Sequence, residues 1–214
     1  MAARRRRLDP AATAALFEPE ALTDAEGMDA ATNVLANLVT SKSKAPPDPL
    51  WGRRAAEVFR TPFPKNYKHE SSRASLFLAA GRLLLRMNQR DVVPLLIDQL
   101  FAGKDHGDRR HKFMLELVGK LGSPSDVPRI CQWFESQSAR AIGGSALSLH
   151  AILPNTLIRL ASAETVDYIV DRLHKAAQGE VTLNGHHRWS YEKALEVVME
   201  GGPPNVGNAW LPEL

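Results

Sequence analysis

Only one cysteine, Cys131, occurs in the 214 residues. A lone thiol excludes an internal disulfide framework and a cysteine-based zinc site. No apolar run approaches the ~20 residues of a membrane span, so no membrane partner is expected. Histidines number seven, but His106 and His111 are five apart and His186 and His187 are adjacent. Neither pair has the i, i+4 spacing of ligands on a helix, and no metal or cofactor is expected. A Gly-rich phosphate loop is missing, because Gly103-Lys104 lacks the other glycines of that motif. Gly143-Gly144-Ser145 lacks the flanking pattern and the preceding strand of a nucleophile elbow. Arg4 to Arg7 resemble the basic start of a secretory signal. Asp9, Pro10, Glu18 and Glu20 interrupt any apolar stretch behind them, which points to a cytoplasmic protein and disfavours a mitochondrial presequence.

A hydrophobic fraction of 44% is enough to build a core. The net charge of +3 is unevenly spread. Residues 1–50 hold 6 Lys/Arg and 7 Asp/Glu, residues 51–125 hold 14 and 7, and residues 126–214 hold 7 and 10. The basic excess therefore lies in the middle third, where it can attract nucleic acid or an acidic protein surface.

The strongest internal signal is a weak repeat. Val93 to Leu100, Val127 to Phe134 and Val166 to Leu173 align at offsets of 34 and 39 residues. Just upstream, Arg86-Met87, Lys120-Leu121 and Arg159-Leu160 each place a base before a large apolar residue. Self-similarity at ~30–47 residues marks a stacked array of helical hairpins.

Helical periodicity fills in the rest. A helix starts near Thr23-Asp24 and buries Met28, Ala31, Leu35 and Leu38. Ser41 to Pro49 reads as a linker. Trp51 to Phe59 is a short helix, and Ser71-Ser72 starts a long one through Met87. Further helices are expected over Asp91–Phe101, Asp108–Leu121 and a segment ending near Phe134. Ala139–Leu160 is also helical, with Pro154 kinking or splitting it, followed by Ala163–Ala177 and Trp189–Met199. Gly179 to His187 reads as a loop with a short extended piece at Val181-Thr182-Leu183. Residues 1–23 read as a mobile leader with at most one short helix, so deleting 1–22 should barely move the melting temperature. β-branched runs are too short for a sheet.

Asp91 to Leu100, Asp108-Arg109-Arg110, and Leu117 to Gly122 followed by Val127-Pro128 together resemble HEAT-type helical repeats. The likeness is good over 71–136 and degraded over 137–200. It implies an all-α fold: a short right-handed α-solenoid of stacked antiparallel helical hairpins over 51–200. Residues 1–50 then form a basic leader, one helix and a Pro-rich linker, and 201–214 an irregular tail. The family includes adaptors, transport factors and DNA-alkylation glycosylases, so the likeness leaves function open. In the family an acid and a base bridge neighbouring hairpins; here Asp108 and Arg110 are the candidates.

Two groups of residues are candidates for binding. Arg86, Lys120 and Arg159 occupy equivalent repeat positions and would form a ladder with ~10 Å rungs. Arg82, Arg109, Arg110 and Lys112 extend it. The competing account is that each cation of the ladder sits in the last turn of its helix, where the macrodipole favours it. The second group is the loop 61–69, where Phe63 and Tyr67 can stack while Lys65 and Lys68 meet an anion; both rings can equally pack down as anchors. Cys131, on an apolar helix, reads as a buried small hydrophobe. A glycosylase site would need an acid among exposed aromatics, drawn from Trp133, Trp189, Tyr191, Glu192 and Asp98. The expected function is a non-enzymatic binding or adaptor protein that recognises a protein partner, with an acidic surface on that partner as the feature a basic face would meet. The alternative is nucleic-acid binding, with a glycosylase as its enzymatic extreme.

Overall fold

The computed structural model describes residues 10–40, 48–61, 70–102, 108–137 and 149–200. Among them the fold is all-helical, with eleven α-helices and no strand. The chain divides into two compact units, residues 1–89 and 90–214. This boundary differs from the one at 50/51 read from composition. The helix before the Pro-rich linker packs its apolar face against a helix beyond it, and that burial outweighs the linker.

The first unit holds α1 (Pro10–Ala15), α2 (Pro19–Thr23), α3 (Ala25–Thr40), α4 (Pro49–Arg60) and α5 (Glu70–Arg86). Asp24 starts α3, its carboxylate accepting from the N–H groups of Glu26 and Gly27 at 3.0 and 3.1 Å. Satisfying those orphan donors sets the helix start. The turn from α2 into α3 is so tight that a Cβ at Gly27 would lie 2.1 Å from the Ala21 carbonyl oxygen. Asp48 starts α4 by accepting from Leu50 N–H at 2.8 Å, with Pro49 in the first turn where its missing donor does no harm. The long contact of the unit is α3 on α5, and α4 packs on α5 as well. It buries Met28, Ala31 and Leu35 with Leu76, Ala80, Leu83 and Leu84. Leu38, expected inside, is only half-buried. Asn88 closes α5 with a positive φ of 49°, the left-handed stop that asparagine tolerates.

The leader is where the structure departs most from the reading above. Residues 10–23 form two helices, and Phe17 and Leu22 are buried. Phe17 stands edge-on to Trp51 at 6.2 Å. The Arg54 guanidinium lies 5.7 Å from both ring centroids and donates to the Thr13 carbonyl at 2.7 Å. A segment without long periodicity is thus held by two apolar anchors and one cation. The Arg4–Arg7 run lies outside the described residues.

The second unit holds α6 (Val93–Ala102), α7 (Asp108–Leu121), α8 (Val127–Ser136), α9 (Leu149–Arg159), α10 (Ala163–Ala177) and α11 (Gly185–Met199). The first two repeat segments open α6 and α8, and the third lies in α10 from its fourth residue, Val166. Short 3₁₀ turns, Arg90–Val92 and Pro124–Asp126, lead into α6 and α8, and the Ser162 hydroxyl caps α10 by accepting from Thr165 N–H. Within the unit α7 packs on α9, α9 on α11, and α6 on both α7 and α8. The core takes Leu96, Ile97, Leu115, Leu117, Val118, Ile130, Trp133, Phe134, Leu153 and Tyr191.

Two local expectations change here. Pro154 sits inside α9, which is not split over 149–159; residues 138–148 lie outside the described set. The final helix begins at Gly185 rather than Trp189, and residues 181–184 form no strand. The Asn184 side chain accepts from His187 N–H at 2.9 Å, a cap that pulls both histidines into the first turn.

The α7–α9 contact depends on a missing side chain. A Cβ at Gly119 would sit 3.2 Å from the Thr156 Cα, and the Thr156 hydroxyl donates to the Leu115 carbonyl at 3.2 Å. Replacing Gly119 with leucine should therefore force the helices apart and lower the midpoint of denaturant unfolding. Truncating the fully buried Leu22 or Leu117 to alanine should cost about 2–5 kcal/mol each in the same measurement. A Leu22 loss of that size would distinguish a docked leader from a loose one.

Candidate functional site

Three cationic residues, Lys112 and Lys120 of α7 and Arg159 of α9, act on one carboxylate, Glu116. Lys112, Glu116 and Lys120 follow at four-residue intervals along α7, which places them on one face. Arg159, in the last turn of α9, acts electrostatically on both Glu116 and Lys120. Burial raises the Glu116 pKa above its ordinary value even though three cations oppose it. Burial lowers that of Lys120, and Arg159 lowers it further while Glu116 resists. Two rungs of the expected ladder are thus neighbours, joined by Lys112.

The remaining candidates are distributed differently. Arg86, in the first unit, donates to the Leu38 and Val39 carbonyls at the end of α3. Its guanidinium satisfies orphan acceptors of another helix, an engagement distinct from the expected attraction to its own helix end. Arg82 is half-buried in α5. Arg109 and Arg110 lie in the first turn of α7, their side chains outside the described set, as is that of Asp108. Phe63, Lys65, Tyr67 and Lys68 also lie outside the described residues.

Bridging between repeat segments falls to other residues than Asp108 and Arg110. Asp98 of α6 pairs with Arg129 of α8, both exposed. Glu135 of α8 pairs with Arg172 of α10 in a more buried setting. Arg172 donates through Nε at 3.0 Å and through Nη2, and the Tyr191 hydroxyl of α11 donates to Glu135 Oε1 at 2.6 Å. One carboxylate thereby joins three helices.

That network adjoins the buried thiol. Burial pushes Cys131 up to about 12. Since the thiolate is the nucleophile, this fully buried thiol is inert at neutral pH. Burial also drives Tyr191 upward. Trp133 is buried and donates its indole N–H to the Leu100 carbonyl at 2.8 Å. Trp189 is half-exposed, and Glu192 beside it on α11 pairs with Arg188 at 2.7 Å. The acids and aromatics considered for a glycosylase site are thus engaged separately: Asp98 with Arg129, Glu192 with Arg188, Trp133 and Tyr191 in the core. Among the described residues no group of three or more His, Cys, Asp or Glu could hold a metal ion, and no helix is long and apolar enough to cross a membrane.

A cleft of about 450 Å³ opens between the start of α8 and the middle of α10, lined by Ser125, Pro128, Arg129, Gln132, Tyr168 and Arg172. These residues escaped attention in the sequence. Their signal is the four-residue spacing of Pro128 with Gln132 and of Tyr168 with Arg172, on two aligned segments whose apolar residues dominate the pattern.

Comparison with family models, with curated proteins and with solved structures found no match to this chain.

His187 generates a pH dependence. It is buried, stands edge-on to Phe134 at 4.6 Å, and burial lowers its pKa below the ordinary value despite the opposing charge of Glu135. A lowered folded pKa means the unfolded chain takes up the proton first as pH falls. Stability should therefore drop as pH is taken below about 6.5, and less so in His187→Gln, measured by denaturant unfolding across that range. Tyr191→Phe leaves Glu135 with one donor fewer and should cost about 1–3 kcal/mol at neutral pH.

Proposed function

We propose that this protein is a non-enzymatic binding or adaptor protein, built as a short HEAT-like array, that recognises an acidic surface on a protein partner through the α7–α9 face. The array reading is supported by the three aligned segments in α6, α8 and α10, by the packing of α6 on α7 and of α10 on α11, and by the packing of α7 on α9 and α9 on α11. A cytoplasmic setting belongs to the same reading.

The observation that carries the function is the grouping of Lys112, Lys120 and Arg159 round Glu116. Three cations against one carboxylate leave a positive face that steers an anionic partner. The interposed Glu116 favours protein over nucleic acid. A phosphate backbone presents negative charge at every step and would be repelled there, whereas a protein surface can set a base against Glu116 and acids against its neighbours.

The double substitution Lys112→Gln, Lys120→Gln should weaken binding of a fluorescent polyglutamate peptide about tenfold or more, with a helical circular-dichroism signal showing that the variant is folded. A duplex DNA titration over a salt series runs beside it. Tighter binding to DNA than to the peptide, with a steep salt slope that the double substitution reduces by about one unit per lost contact, would replace the protein-partner reading with the nucleic-acid one.

A further inference from the structure

The cleft between α8 and α10 is separate from the α7–α9 cations. Its volume, about 450 Å³, falls in the range of small-molecule sites. Its lining is rich in hydrogen-bond donors: two guanidinium groups, a phenol, a side-chain amide and a serine hydroxyl. Among the described residues no carboxylate lines it. The acids that pair with the two arginines, Asp98 and Glu135, stand outside the lining.

Each arginine keeps donors in reserve. Arg172 spends Nε and one Nη2 hydrogen on Glu135, which holds its planar fork in place and leaves the Nη1 hydrogens. Arg129 meets Asp98 through Nη2 alone, in a pair exposed on both sides. Such exposed pairs contribute little and exchange readily for a better acceptor. The Tyr168 hydroxyl makes no hydrogen bond to a described residue, and burial pushes its pKa up to about 12, so it remains an O–H donor throughout the physiological range. Pro128 supplies an apolar wall.

We propose that this cleft binds a small organic ligand carrying an oxyanion, either a carboxylate or a phosphoryl group. The oxyanion would be held by Arg129, Arg172 and the Tyr168 hydroxyl, with the carbon body against Pro128. Guanidinium groups recognise both kinds of oxyanion through paired N–H donors, so the lining defines the shared chemistry, and the two sources are separated by experiment.

The test is an amide chemical-shift titration of the full chain with inorganic phosphate, phosphoserine and succinate in parallel. The expected result is saturable shifts confined to about residues 125–132 and 168–172 with at least one probe. Preference for phosphoserine and phosphate would assign a phosphoryl ligand; preference for succinate would assign a carboxylate. Arg129→Ala and Tyr168→Phe should each weaken that binding about tenfold, the loss of one charge-assisted hydrogen bond. Both sites are at the protein's margin, and melting temperatures check that each variant is folded. Arg60→Gln, at an exposed position of α4 in the first unit, should leave the affinity unchanged. Absence of saturation at tens of millimolar with all three probes, affinity in both cleft variants equal to that of the unaltered protein, or loss of binding in Arg60→Gln would each overturn the proposal.

Discussion

Glu135 is a carboxylate with little access to water, and the second unit is arranged to satisfy it. Removing an ion from water costs several kcal/mol unless good donors replace the lost hydration. Here a guanidinium fork from α10 and a phenol from α11 do so. The three groups come from three helices, so the charge is compensated only when α8, α10 and α11 are in register. The value of such a triad lies less in net stability than in penalising other arrangements: any slip of one helix leaves a buried charge or hydroxyl unpaired. Cys131 and His187 owe their chemistry to the same neighbourhood, since the burial that surrounds Glu135 also keeps the thiol protonated and the imidazole neutral.

Glu116 shows the reverse balance. Three cations act on it, yet desolvation wins and its pKa is raised. Lys112, Lys120 and Arg159 all act on that one half-buried acid, whereas Glu135 pairs with Arg172 directly. Side chains also finish helices elsewhere. Arg86 donates to the last carbonyls of α3 and Trp133 to that of Leu100 in α6. In both places a residue that invites a functional reading closes a helix end that would otherwise be left without donors.

Parts of the candidate surfaces could be read from residue order. Lys120 and Arg159 drew attention because they recur at one repeat position, and the fold does bring them together. Arg86 shares that position but is turned to carbonyls of α3, a helix nearly fifty residues upstream that no local pattern connects to it. The cleft was hidden for a related reason. Tyr168 and Arg172 lie about forty residues from Pro128 and Gln132, and only helix packing sets one pair against the other. The anchoring of the leader was hidden too, because Phe17 and Leu22 are isolated apolar residues in a polar stretch and the rings and cation that hold Phe17 belong to α4.

The all-helical class, the main helices of both units and the repeated turns before α6, α8 and α10 follow from residue order alone. The reason is that apolar spacing, caps such as Asp24, Asp48 and Ser162, and breakers such as Gly122-Ser123-Pro124 all act over a few residues. The division at Gln89 and Arg90, the docking of residues 10–23, the close α7–α9 approach over Gly119 and the pairing of Glu135 with Arg172 and Tyr191 emerge only in three dimensions. Each depends on which surfaces meet, and a meeting of surfaces is set by burial and by the cost of unpaired charge summed over distant segments, a quantity that no short window of sequence contains.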